Sequence, residues 1–352
     1  MIIIVLFYFF IVLFAVKASK EKSDFWLMLS FVLIFLFLAL RFDFGNDYMS
    51  YLYMFADIEY LDFDSNVEFG WQLLNLLFKP LGFFPMVIAL AAFNCFIYYR
   101  FIIRYVQAPY YWLAVFLYVV NPSFMLVHSS AMRQSVAIAI FIYSIDYLFK
   151  KDIFRYTISI LIASSFHQSA LILLPLYFIF VFDWRITDIK LVILFFFFSF
   201  FLFSSQIISP YLISFVNFYF QKYSIYEGGI LLDSGIGLLF SIAIFILILY
   251  YTKFQDRESM LFFKIIIISY FFLPLGFIVS LISRVKMYLE PSLIAVFPII
   301  ASTIHDNYTR NLLLIVYLLF ILYLFYNFIA LDISNISFAE YKTIINAPQK
   351  YW

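Results

Sequence analysis

The sequence predicts an all-α polytopic integral membrane protein of about twelve transmembrane helices. Three observations predict it. Hydrophobic residues make up 66% of the chain, aromatics 24% and charged residues only 12%, with a mean hydropathy of +1.02; no soluble domain of 352 residues has that profile. The apolar residues gather into long runs separated by polar joints. The basic residues are shared unequally between alternate joints, as they are where cytoplasmic loops collect Lys and Arg.

The expected spans, in order, are 1–16, 24–40, 83–99, 109–127, 130–149, 153–166, 169–182, 188–204, 234–251, 260–282, 285–304 and 310–331. The first is kept as a span because Met1–Val16 has neither a basic leading region nor a small-residue cleavage site. The run from Tyr156 to Phe182 decides the topology. As one helix it would place the Lys253/Arg257 joint outside and the long polar segment Lys222–Asp233 inside. As two half-spans meeting at Phe166-His167-Gln168-Ser169-Ala170, it returns both to their expected sides, so a break is expected at His167. With the N-terminus outside, 14 basic residues then lie inside and 8 outside, which accounts for all 22. The whole of 1–352 reads as one transmembrane domain without internal repeats, and Phe195–Phe203 reads as lipid-facing filler. Cys95, the sole cysteine, excludes an intramolecular disulfide and a cysteine metal site.

Two long loops, 41–82 and 204–233, face outward. The first carries Asp43, Asp47, Asp57, Glu59, Asp62, Asp64 and Glu68 among Tyr48, Tyr51, Tyr53, Tyr60 and Trp71. Carboxylates with ring faces suit carbohydrate: the carboxylates accept from hydroxyls and the rings cover the apolar face of a sugar. Asp62-Phe63-Asp64 has the D-x-D form that holds a divalent metal in some glycosyltransferases, although two carboxylates in an acidic loop are usually only solvated, and no metal or cofactor is expected.

Inward-running spans begin at Ser129-Ser130-Ala131-Met132-Arg133-Gln134 and at Ser283-Arg284-Val285-Lys286-Met287-Tyr288, each with Ser as the expected N-cap. A cation in the first turn of a helix opposes the helix dipole unless an anion sits there, so these starts read as anion sites. The plainer alternative is arginines snorkelling to lipid headgroups. His167 is either a general base on a hydroxyl, at a break expected below the outer surface, or a structural cap of that break. His128 is a weaker candidate and His305 belongs to the inner interface. Glu290 either pairs with Lys286, one turn earlier, or points into a cavity, and Asp146 is expected to reach Lys150.

Arg41…Gly45-Asn46-Asp47-Tyr48…Tyr51, Glu68-Phe69-Gly70-Trp71, Met132-Arg133-Gln134-Ser135-Val136-Ala137, Phe166-His167-Gln168-Ser169-Ala170 and Arg284…Tyr288, in that order over residues 41–300, resemble the EpsG-like family of Wzy-type polymerases of O-antigen, capsule and exopolysaccharide. The resemblance implies a GT-C-like glycosyltransferase in the bacterial inner membrane, working on its periplasmic face. It implies a multi-pass enzyme that joins oligosaccharide repeat units carried on undecaprenyl pyrophosphate and needs no nucleotide sugar. In that reading the base is His167, with Asp47 or Glu68 as alternatives. Arg133, Arg284 and Arg41, with Gln134, Lys286 and Tyr288, receive the pyrophosphate, and Asp43, Tyr48, Tyr51 and Trp71 hold sugar. A flippase and a chain-length regulator are implied partners, nucleic acid is not, and Asn46 departs from the family pattern. Three other classes fit a polytopic chain. A flippase or other transporter would show two related halves and binding groups at the midplane; a polysaccharide O-acyltransferase would place its histidine toward a cytoplasmic donor; a purely structural membrane partner needs neither.

Overall fold

The computed structural model describes the chain except residues 1, 64, 183–189, 191–192, 199, 201–203, 205–235, 253, 277–279, 331–337, 339 and 349–352. The second long loop and its tyrosines, and Asp64 of the D-x-D, therefore lie outside the described residues. The structure is almost entirely helical and forms two compact units, residues 1–174 with 297–352 and residues 175–296.

The first unit opens with α1 (Ile2–Glu21) and α2 (Asp24–Ala39), joined through Lys22 at φ 51°. The Ser30 hydroxyl on α2 donates to the Ile11 carbonyl on α1 at 3.0 Å. The expected outer loop 41–82 is folded: strand β1 (Arg41–Phe42), α3 (Tyr48–Asp57) and α4 (Phe69–Phe78). Tyr48, Tyr51, Leu52 and Phe55 recur at helical spacing along α3 and are buried with Trp71 of α4 against Phe83, Phe84 and Val87. Those last three begin α5 (Phe83–Tyr105), which runs past the expected end at 99. The tail returns to close this cap. Strand β2 (Lys342–Thr343) pairs antiparallel with β1, Arg41 opposite Thr343, and Tyr341 stacks on Phe37 at 4.6 Å.

The expected span 109–127 is interrupted. After a 3-10 turn at Ala108–Tyr110, α6 (Tyr111–Val120) stops at Asn121, whose φ/ψ of −70°/118° is the extended state that a following proline, here Pro122, imposes. A short α7 (Met125–Ser130) precedes α8 (Met132–Phe149). Asp146 of α8 corrects a second expectation. It is buried against Arg100 at 2.5 Å and Arg104 at 3.0 Å on α5, with the Tyr105 hydroxyl donating to it, rather than pairing with Lys150.

The break at His167 is present. Helix α9 (Ile153–Phe166) ends there, His167 is extended at φ −154°, ψ 112°, and a 3-10 turn (Gln168–Ile172) leads into α10 (Leu173–Val181). The Tyr156 hydroxyl donates to the Leu173 carbonyl, 17 residues on, at 2.9 Å. In a straight helix those positions would stand about 25 Å apart, so the chain doubles back.

The second unit contains most of α10, then α11 (Ile236–Thr252), α12 (Arg257–Gly276), α13 (Ser280–Leu289) and a 3-10 turn, Glu290–Ser292. Phe198 is fully buried and packs on Phe245 at 4.4 Å, so it is core, whereas Phe196 and Phe200 are exposed. The buried Lys264 ammonium donates to the Phe182 carbonyl at 2.6 Å, a cation closing a helix C-terminus. Helices α14 (Leu293–Thr303) and α15 (Asn307–Ala330) complete the fold. Among the described residues four helical stretches are long and apolar enough to cross a membrane: Ile3–Glu21, Phe83–Tyr105, Arg284–Thr303 and Asn307–Ile329. Further apolar helices among the described residues, such as Asp24–Ala39 and Ile153–Phe166, are shorter.

Candidate active site

Three of the singled-out segments meet in the first unit. Glu68 is the N-cap of α4, but its side chain does not cap. Its carboxylate instead reaches α8, where Oε2 accepts from Arg133 Nη1 at 2.5 Å, and the break, where Oε1 accepts from the Gln168 amide at 3.3 Å. One carboxylate thus ties an arginine on α8 to the residue after His167, across 65 and 100 positions of sequence. The ion pair is three-quarters or more buried on both sides, with exposures of 25% for Arg133 and 15% for Glu68.

The glycine two residues further on explains the approach. A Cβ on Gly70 would stand 2.3 Å from Ser165 Oγ and 2.8 Å from the Ser165 carbonyl oxygen. Helix α4 therefore rests directly on the backbone of α9 just before His167, and a side chain at position 70 would hold Glu68 away.

Arg133 is the second residue of α8, in the first turn as expected, but no serine caps that helix. Its N-cap is Ala131, without a side-chain hydrogen bond, and Ser130 closes α7 and accepts from the Asn46 amide at 2.8 Å. The anion that a cation at a helix start calls for is the protein's own Glu68. Arg133 also stands 6.0 Å from the centre of the Tyr51 ring and hydrogen-bonds its hydroxyl. Burial raises the pKa of that hydroxyl, with Arg133 opposing.

His167 is buried, and its Nδ1 lies 2.7 Å from Ser169 Oγ. If Nδ1 carries the ring proton and donates to Ser169, Nε2 is left with the lone pair that proton abstraction needs. In the sequence Ser169 stands only as a flanking motif residue, and its spacing of two from His167 is the signal that assigns it.

The remaining residues sort by burial. Arg41 is 3% exposed; Nη1 donates to the Leu38 carbonyl and Nη2 to the His128 carbonyl at 3.3 Å, so it clamps α2 to α7. His128 is enclosed with its Nδ1 3.0 Å from the Tyr118 hydroxyl. Tyr48 and Trp71 are fully buried and Tyr51 nearly so, their rings spent on packing rather than presented to a sugar. Asp47 is exposed at the start of α3, and Asp43 pairs with Lys342 at 4.0 Å. Gln134 is buried beside Arg133 in sequence. The open part of the cap is a cleft of about 540 Å³ whose lining includes Tyr53, Asp57, Glu59, Tyr60 and Asp62. Among the described residues no three His, Cys, Asp or Glu side chains gather in a way that could hold a metal ion.

In the second unit Ser283 lies inside α13 rather than before it, so Arg284 is not in a first turn there. Lys286 pairs with Glu290 at 2.8 Å, as the spacing predicts, and Tyr288 is fully buried.

A model of the EpsG family matches residues 24–343. No curated protein and no solved structure matches the chain.

Proposed function

The chain belongs to the EpsG family, the Wzy-like polysaccharide polymerases, and from that premise we propose that it polymerises undecaprenyl-pyrophosphate-linked oligosaccharide repeat units at the periplasmic face of the bacterial inner membrane. Membership itself carries the coarser statement, a membrane-embedded, glycosyltransferase-like polymerase. The product is a surface polysaccharide, an O-antigen, capsule or exopolysaccharide. Twelve spans in a GT-C-like arrangement, with a flippase supplying substrate and a chain-length regulator nearby, complete the proposal.

The observation that supports it best is the Glu68 carboxylate joining Arg133 to the break at His167. In the proposed reaction a sugar hydroxyl of one repeat unit attacks the anomeric carbon of the growing chain. The new carbon–oxygen bond forms as the bond to the pyrophosphate oxygen breaks. The hydroxyl proton passes to His167 Nε2, and Ser169 holds the required tautomer from the other ring nitrogen. Charge grows on the departing diphosphate, where a guanidinium with little water around it is most effective. Arg133 takes that part, and Glu68 keeps it aimed between substrates. Arg284 and Lys286 belong to the second unit, where Glu290 holds the Lys286 ammonium at 2.8 Å. Arg41 is left out, since its terminal nitrogens are engaged by main-chain carbonyls. The sugar is proposed to lie along the acidic cleft of the cap, beside Tyr53 and Tyr60.

The test is the length distribution of surface polysaccharide in cells. Arg133→Ala and His167→Ala, with protein amounts matched, are expected to leave single repeat units in place of a ladder, a loss of about 10²–10⁴-fold for the histidine. Normal ladders from both variants would remove the proposal.

A further inference from the structure

Below the Glu68–Arg133 pair runs an apolar groove of about 760 Å³ between α4, α5, α8 and α9. It continues the site along two helices. On α8, Arg133 is followed by Val136, Ile140, Tyr143 and Tyr147, all four lining the groove at spacings of three and four. That spacing keeps them on the arginine's own face of the helix. On α9 the lining residues Ile158, Ile162 and Phe166 share one face and end beside His167. From Val136 to Tyr147 the groove extends about 16 Å along the helix axis, beginning one turn from the guanidinium. Its volume lies within the usual range for ligand sites. The rim is open sideways, with Phe96 59% and Ile162 50% exposed, so a chain lying in lipid can enter without passing through water.

We propose that this groove holds the polyprenyl chain of the lipid-linked substrate while its diphosphate sits at Arg133. The inference rests on the reaction proposed above and adds to it the place of the tail. A linear amphiphile must put a charged head and an apolar chain in adjoining places, and this face of α8 offers a cation followed by some three turns of apolar wall. Binding the chain here also fixes the depth of the head, holding the anomeric carbon level with His167. An ordinary phospholipid chain filling the same groove is the competing occupant.

The test uses the full chain, purified and reconstituted in lipid nanodiscs. The probe is a long-chain polyprenyl diphosphate carrying a diazirine in its tail, and adducts are mapped by mass spectrometry. Adducts are expected on Phe93, Ile140 and Ile162, suppressed at least fivefold by unlabelled polyprenyl diphosphate but not by equal phosphatidylglycerol. Ile140→Trp is expected to cut labelling at Phe93 to the same extent, and Leu161→Trp, exposed and away from the groove, to leave it unchanged. Should Ile140→Trp fold poorly, the half-exposed Ile162→Trp gives the same readout. Adducts spread equally over exposed positions such as Phe154 and Leu161, or equal competition by phosphatidylglycerol, would overturn the inference. Polysaccharide ladders read the reaction separately. Confined labelling with ladders that survive loss of Arg133 and His167 sinks the reaction and keeps the groove; dispersed labelling with ladders lost does the reverse.

Discussion

The Glu68–Arg133 pair joins structure and chemistry in one contact, and substitution separates the two. Removing either partner strands a charge that is mostly out of water, at a cost of about 1–3 kcal/mol. Arg133→Ala and Glu68→Gln are therefore each expected to lower the melting temperature of the detergent-solubilised protein. A Glu68→Gln/Arg133→Met double variant, which leaves no lone charge, is expected to regain most of that stability and still make no polymer. Recovery of both would show the pair to be only a strut. Ser169→Ala tests the tautomer: polymerisation is expected to fall, by less than for His167→Ala, with the melting temperature unmoved. The residue types of this site were legible in the sequence, because Arg at a helix start and His in an apolar run are costly enough to stand out. Their meeting was not, since it depends on a carboxylate reaching across 65 and 100 positions. Arg41 shows the converse. Its place after a span suggested an outward cation, but the carbonyl of His128, 87 residues away, takes its guanidinium into the interior.

The short α3 and α4 do most to position the site, although their sequence reads as loop. Acidic residues between the tyrosines drew attention to charge, while Tyr48, Tyr51, Leu52 and Phe55 kept helical spacing throughout. The break at His167 was legible because it altered the side of every later basic residue, whereas the stop at Asn121-Pro122 altered none and passed unnoticed. The contact of α4 with α9 gives a prediction at this scale. Gly70→Ala would drive a methyl into Ser165, including its carbonyl oxygen at 2.8 Å. Main chain cannot step aside as a side chain can, so the helices must part, at about 1–3 kcal/mol. Polymer length is expected to collapse as Glu68 is drawn back. Adding Ser165→Gly, which removes the hydroxyl but not the carbonyl, is expected not to rescue it; full rescue would mean that the side chain alone enforces the spacing.

Across the whole molecule, the pairing of Arg41 with Thr343 fixes a parity. Two strands that hydrogen-bond lie on one side of a membrane, so the chain between them crosses an even number of times. Counting 153–182 as two of the expected spans makes that number even and counting it as one makes it odd, so the side on which the two strands label tests the expectation. Cysteine labelling checks this, with the native Cys95 buried. Asp43→Cys and Lys342→Cys are both expected to react with a membrane-impermeant maleimide in intact cells, and Lys151→Cys only after lysis. Reaction of Lys342→Cys only after lysis would break the pairing.

The same strand pair sets an order of assembly. The Tyr341 hydroxyl bonds the Phe37 carbonyl at 2.7 Å, a partner made 304 residues earlier by the ribosome. Until that late segment is translated, β1 has a bare edge and Phe37 lacks its stacking partner, a state open to mispairing. The protein can thus be inserted well before it is finished. Quality-control proteases would meet a nearly complete molecule that is still unsealed.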